Sequence, residues 1–151
     1  MKKNSTKTPE IPEMSFLIIN HIIDAWNNEI KLLLNKHALT QTEFNMLASA
    51  YWFHKQNKSV TQVNVCSYAG IKQMNASIVL RKLQVRKFLL RKEHPVDTRA
   101  KTIHLSTDGV QTTINLLTEI DAINSRFFGI PKGTETSFNK KIQEIRNSNR
   151  E

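Results

Sequence analysis

FLLRKEHPVDTRAKTIHL, residues 88–105, places two short apolar and β-branched runs around HPVDTRA, residues 94–100. The runs, residues 88–94 and 101–105, read as two strands, and the middle reads as their turn. A turn that only had to reverse the chain would use Asn-Gly or Gly-Asn, which take positive φ readily. This turn instead carries Arg99 near its tip and follows the basic segment KQMNASIVLRKLQVRK, residues 72–87. The hairpin therefore serves something beyond chain reversal.

Immediately upstream, Ala76, Val79, Leu80 and Leu83 recur at intervals of three and four, the stripe of a helix that faces a core. Before it, SVTQVNVCSYAGI, residues 59–71, begins a short helix. Thr61 is its expected N-cap, Val63, Val65, Cys66 and Ala69 its packing residues, and Gly70 its stop. A short helix, a glycine-containing turn and a second helix have helix-turn-helix spacing. LTQTEFNMLASAYWFHK, residues 39–55, is a further helix with Thr40 or Thr42 as cap and Glu43 in its first turn. From residue 12 to 37, Phe16, Ile19, Ile23, Trp26, Ile30 and Leu33 mark one helix face, and Ile18 and Ile22 widen it. A helix apolar over so wide an arc has two neighbours to satisfy, its own domain and a second subunit.

Downstream, Ser106 or Thr107 caps a long helix that carries Val110, Ile114, Leu116, Leu117, Ile120, Ile123 and Phe127. Gly129, Pro131 and Gly133 end it, and residues 134–146 form a last helix with Phe138, Ile142 and Ile145 on one side. Residues 1–11 are polar and read as a flexible start. The expected architecture is mainly α (α+β). It is a single domain over residues 12–151, with a winged helix-turn-helix at 39–105 between dimerisation helices at 12–37 and 107–147.

Composition narrows the function. A chain of 151 residues suffices for one domain with its own core. Its net charge of +9 and pI near 9.9 attract polyanions: nucleic acid, an anionic membrane or an acidic protein. The single cysteine, Cys66, excludes an intramolecular disulfide and a Cys-rich zinc site. The apolar run FLII is too short for a membrane span or signal peptide, so a cytoplasmic protein without membrane attachment is expected. The five histidines form no HExxH or comparable pair, so neither a metal nor another cofactor is expected. With no phosphate loop, nucleophile motif or paired carboxylates, the sequence does not read as an enzyme.

DTRAKTIHLSTDG, residues 97–109, resembles the wing of MarR-family transcriptional regulators: Asp-x-Arg, a basic residue, alternating apolar residues, then Leu-Ser/Thr-x-x-Gly opening a helix. LTQTEFNMLA, residues 39–48, and the stretch 60–92 resemble the helices and first wing strand that precede it in that family. The resemblance covers residues 39–128; the outer helices match only in pattern. It implies a homodimer whose terminal helices interlock and whose two winged helices meet the halves of a near-palindromic double-stranded DNA operator. Arg99 would then enter the minor groove, Asp97 would orient it, and Lys101 would contact phosphate.

The helix over residues 72–87 would read bases through Gln73, Met74, Asn75, Ser77, Ile78 and Arg81, with Lys72 at its start. Gln and Asn suit adenine, and Arg suits guanine. For Met74 and Ile78 two readings stand: contact with thymine methyl groups, or one of them turning inward. Lys82, Arg86 and Lys87 add charge for phosphates. Three positions depart from the family pattern: Lys72 replaces a capping Ser or Thr, Ile78 a polar residue, and Lys87 a glycine. The resemblance further implies a repressor relieved by a small aromatic ligand, with His21, Trp26, Tyr51 and Trp52 as candidate pocket residues. The alternative function is a winged-helix interaction module that binds a protein or coats DNA without base specificity.

Overall fold

The computed structural model describes residues 14–96, 99–131 and 133–149. Asp97 and the start, residues 1–11, which the sequence marks as the arginine's partner and as flexible, lie outside them. Helix α1 (Ser15–Lys36) is followed by α2 (Gln41–Lys55), strand β1 (Val60–Thr61), α3 (Gln62–Ala69) and α4 (Gln73–Val85). The hairpin β2 (Leu89–Glu93) and β3 (Lys101–Leu105) comes next, then α5 (Thr107–Phe127) and α6 (Glu135–Ser148). The expected mainly-α winged helix is therefore present, with α1 and α5–α6 flanking it.

Local chemistry sets most boundaries. Thr40 caps α2 in a reciprocal box: its hydroxyl accepts from the Glu43 amide, and the Glu43 carboxylate accepts from the Thr40 amide at 2.8 Å. Thr61 and Asn64 build the same box on α3. Gly70 closes α3 with φ +68, the left-handed conformation that needs no Cβ. Ser106 caps α5 by accepting from the Gly109 amide at 3.0 Å. Gly109 itself leaves no room for a side chain: a Cβ there would lie 1.9 Å from the Phe88 carbonyl oxygen. The Leu-Ser-x-x-Gly signature is thus a packing requirement between the wing's first strand and the helix that follows its second.

The core is one cluster at the junction of all the central elements. Leu34 of α1, Met46 and Leu47 of α2, Val65 and Cys66 of α3, Ala76, Leu80 and Leu83 of α4, Leu89 of β2 and Leu116 of α5 are essentially inaccessible. Ala76, Leu80 and Leu83 are the stripe read from spacing; Val79 is partly buried against the same cluster. Val63, expected to pack, is exposed, because the short α3 turns only Val65 and Cys66 inward.

The sheet has a third member that periodicity does not reveal. β1 pairs antiparallel with β3, Val60 opposite Ile103 and Thr61 opposite Thr102, giving the order β1-β3-β2. Two residues carry no alternation to detect, and their pairing is with a strand some forty residues away. It ties the start of the helix-turn-helix to the wing. The β2–β3 register runs from Leu89 opposite Leu105 to Glu93 opposite Lys101.

Candidate nucleic-acid interface

The outward face of α4 is formed by the residues its inward stripe leaves over. Gln73, Met74, Asn75, Ser77, Ile78 and Arg81 are all exposed, as is Lys72 before them. Met74 is 88% and Ile78 63% accessible, so neither turns inward. Lys72 is the N-cap residue and makes no side-chain cap, as expected where a lysine replaces a hydroxyl. The first amides of α4 are therefore uncapped by side chain at the end that carries Gln73 to Asn75.

Beside α4 stands the wing. Arg99 lies exposed in the turn between β2 and β3. Lys101 sits at the start of β3, and its Nζ is 3.1 Å from Glu93 Oε1 directly across the hairpin. Both side chains are largely solvated, so this cross-strand pair contributes little to stability. Within the sheet, Thr102 is buried and its hydroxyl lies 3.0 Å from His104 Nε2. Burial, reinforced by the Lys92 charge, lowers the His104 pKa below its ordinary value.

Arg86 has a different task from the phosphate contact its charge suggested. Standing at the C-cap of α4, it donates from Nη1 to the Ala38 carbonyl at 2.6 Å and from Nη2 to the His37 carbonyl at 3.0 Å. Its guanidinium lies 4.7 Å from the centre of the Phe88 ring. One side chain so satisfies the carbonyl end of α1 and fixes it to the end of α4. His37 also approaches Glu119 of α5 at 3.4 Å. The sequence hid this role because His37 and Ala38 are 49 and 48 positions away. Lys87, next in the chain, has φ +61. A glycine is the relaxed residue for that conformation, so the departure from the family pattern is strained.

The four candidate pocket residues do not converge within one chain. Tyr51 and Trp52 line an open cavity of about 480 Å³ together with Asn45, Ser49, Lys55 and Tyr68. Trp52 stacks on Tyr68 with ring centres 4.6 Å apart. Tyr68, on α3, is a member sequence reading missed; only contact between α2 and α3 reveals it. His21 is on the exposed first half of α1 and does not line this cavity. Trp26 instead joins α1 to α5 through an indole N–H donated to Asn124 Oδ1 at 2.8 Å. Cys66 is buried, and desolvation pushes its thiol pKa up, the state of an unreactive packing residue.

Comparison with known proteins agrees with this geometry. Residues 35–123 match the family model described as ArnR1-like, winged-helix domain. The chain belongs to that family. It is also 26% identical over 121 residues to an uncharacterized HTH-type transcriptional regulator of Bacillus subtilis (strain 168), YdcH, covering 80% of this chain and 82% of that protein. A MarR-family transcriptional regulator from Rhodococcus sp. RHA1 superposes with a TM-score of 0.73 at 19% identity, covering 91% of this chain and 96% of the other. The S. aureus MepR–DNA complex superposes with a TM-score of 0.69 at 18% identity, covering 89% and 97%. The fold expected from the wing resemblance is present: the chain is a winged-helix protein whose fold is that of these MarR-family structures. Among the described residues no helix is long and apolar enough to cross a membrane, and no group of three His, Cys, Asp or Glu side chains could hold a metal ion.

Proposed function

We propose that this winged-helix regulator works as a homodimer that binds a near-palindromic double-stranded DNA operator with sequence specificity, as a repressor relieved by a small aromatic ligand. One observation carries the reading: six side chains able to meet base edges, Gln73, Met74, Asn75, Ser77, Ile78 and Arg81, share the uncovered face of α4. A helix enters the major groove with such a face, while the wing reaches the neighbouring minor groove. There Arg99 supplies the cation that a narrow groove attracts, Asp97 orients it, and Lys101 exchanges Glu93 for a phosphate. The net charge of +9 supplies the non-specific attraction. The existence of a MepR–DNA complex with this fold is in keeping with the reading.

Dimerisation rests on apolar surface without cover in one chain. Phe16, Ile18, Ile19, Ile22 and Ile23 of α1 and Ile142 and Ile145 of α6 are all exposed. A second copy buries them and places two α4 helices on one side, so that two-fold protein symmetry selects two-fold operator symmetry. The ligand would occupy the Tyr51–Trp52–Tyr68 cavity, whose volume and aromatic wall suit a planar molecule and whose Lys55 suits an anionic one. In this reading the protein is a binding protein, acting in the cytoplasm without catalysis.

The test is fluorescence-anisotropy titration against duplex DNA selected from a random pool, at physiological salt with excess unrelated competitor. Binding that survives competitor and is lost in Arg99→Ala is the expected result. Binding that disappears with salt or competitor would replace this reading with an interaction module that contacts a protein or coats DNA.

A further inference from the structure

The outer face of α4 is not uniformly polar. Met74 and Ile78 project from it at 88% and 63% accessibility, while the polar Gln73, Asn75, Ser77 and Arg81 flank them. Large apolar side chains scattered singly on a surface need no explanation. These two are not scattered: they are four residues apart on one helix line, in its first two turns. Those are the turns whose residues reach base edges when a helix enters the major groove. The inward stripe of α4 is already complete with Ala76, Leu80 and Leu83, so Met74 and Ile78 are surplus to folding.

We infer that Met74 and Ile78 form an apolar reading pair for thymine 5-methyl groups, giving the operator half-site an A·T step that this pair selects. The inference rests on the DNA-reading proposed above and names the base chemistry it uses. In the major groove the thymine methyl is the apolar feature that a pair of apolar side chains can recognise. Positions i and i+4 lie roughly 6 Å apart along the helix. That matches about two base-pair steps of roughly 3.4 Å, so each side chain meets its own methyl. The flanking residues suit the same base pairs: Gln73 and Asn75 can each make paired hydrogen bonds to adenine. Charge complementarity favours a nucleic-acid occupant for this face, since Lys72, Arg81 and Lys82 are all exposed around it and α4 carries no acidic residue.

The experiment uses the full chain and the operator recovered by selection from random duplex DNA. Each thymine of the half-site is replaced in turn by deoxyuridine, which pairs with adenine in the same way and lacks only the methyl. Removing one buried methyl is expected to weaken binding about fourfold, at one or two thymines about two base-pair steps apart and nowhere else. Ile78→Ala and Met74→Ala, which leave the buried stripe untouched, should each abolish the deoxyuridine effect at one of those positions. An operator that binds equally well with every thymine replaced would overturn the inference and leave sequence-specific binding standing. So would a deoxyuridine penalty that persists unchanged in both variants. A selection that yields no preferred sequence would overturn both together.

Discussion

Helices α4 and α1 carry apolar residues at the same intervals of three and four, yet they end differently. α4 hides Ala76, Leu80 and Leu83 completely inside its own chain. The first half of α1 leaves Phe16, Ile18, Ile19, Ile22 and Ile23 in solvent; Trp26 packs partly against the core, and full burial begins only at Ile30. No residue of α6 is fully buried; Phe138, half-buried against Phe128, is its most covered side chain. The centre of the molecule is surrounded on every side by elements of the same chain: α2, α3, the sheet and α5. The ends have no such company. Periodicity identifies a face that seeks cover, and topology decides whether the cover comes from within the chain.

This contrast is open to attack from both sides. If the free half of α1 meets a second copy, Ile19→Glu with Ile23→Glu should dissociate the dimer without unfolding the winged helix. Two isoleucines per subunit, at roughly 1.5–3 kcal/mol each, make this the largest expected effect, a shift of several orders of magnitude in the monomer–dimer equilibrium seen by sedimentation. An unchanged dimer would move the interface elsewhere. In the centre, Leu80→Ala should lower unfolding free energy by about 2–5 kcal/mol in denaturant titration, through lost burial and the cavity left behind. A loss confined to the association state would instead mean that α4's stripe depends on the partner.

Between the two regions stands Arg86, which joins the end of α1 to the end of α4. Arg86→Ala should cost about 1–2 kcal/mol for two charge-assisted bonds that are partly solvated. Arg86→Lys should recover little of it, because an ammonium cannot reproduce the forked geometry. Full recovery by lysine would show that charge alone was needed. Lys87→Gly should act in the opposite direction. Relief of a left-handed lysine is expected to raise stability by up to about 1 kcal/mol, read as a higher Tm.

The smallest effect is a pH dependence inside the wing. The folded His104 pKa lies below its unfolded value, so the fold favours the neutral ring. Its contribution is in place above the unfolded value, near 6.5, and is lost as pH falls through the folded one. His104→Gln should therefore lose less Tm than the natural chain between pH 7.5 and pH 5. Parallel curves for the two proteins would remove His104 from the account.

Local features were legible in the amino-acid order alone. The cap at Thr61, the stop at Gly70, the hairpin and the inward stripe of α4 follow from rules that span one helical turn or one β-turn, and each stands where spacing put it. That order left open whether Thr40 or Thr42 caps α2 and whether Ser106 or Thr107 caps α5, and the structure selects Thr40 and Ser106. Features that depend on distant partners were settled by packing. β1 exists because β3 offers it an edge. Arg86 serves α1 because the chain returns there after 48 residues. Trp26 leaves the aromatic group to bind Asn124, while Tyr68 joins it from α3. Even the decision between inward and outward for Met74 and Ile78 belongs here, since both positions border the buried stripe and only the packed neighbours fix the rotation of α4. The physical reason is common to all four: spacing specifies a direction around a helix or strand, whereas a contact requires two directions to meet, and the second is set by the path of the chain.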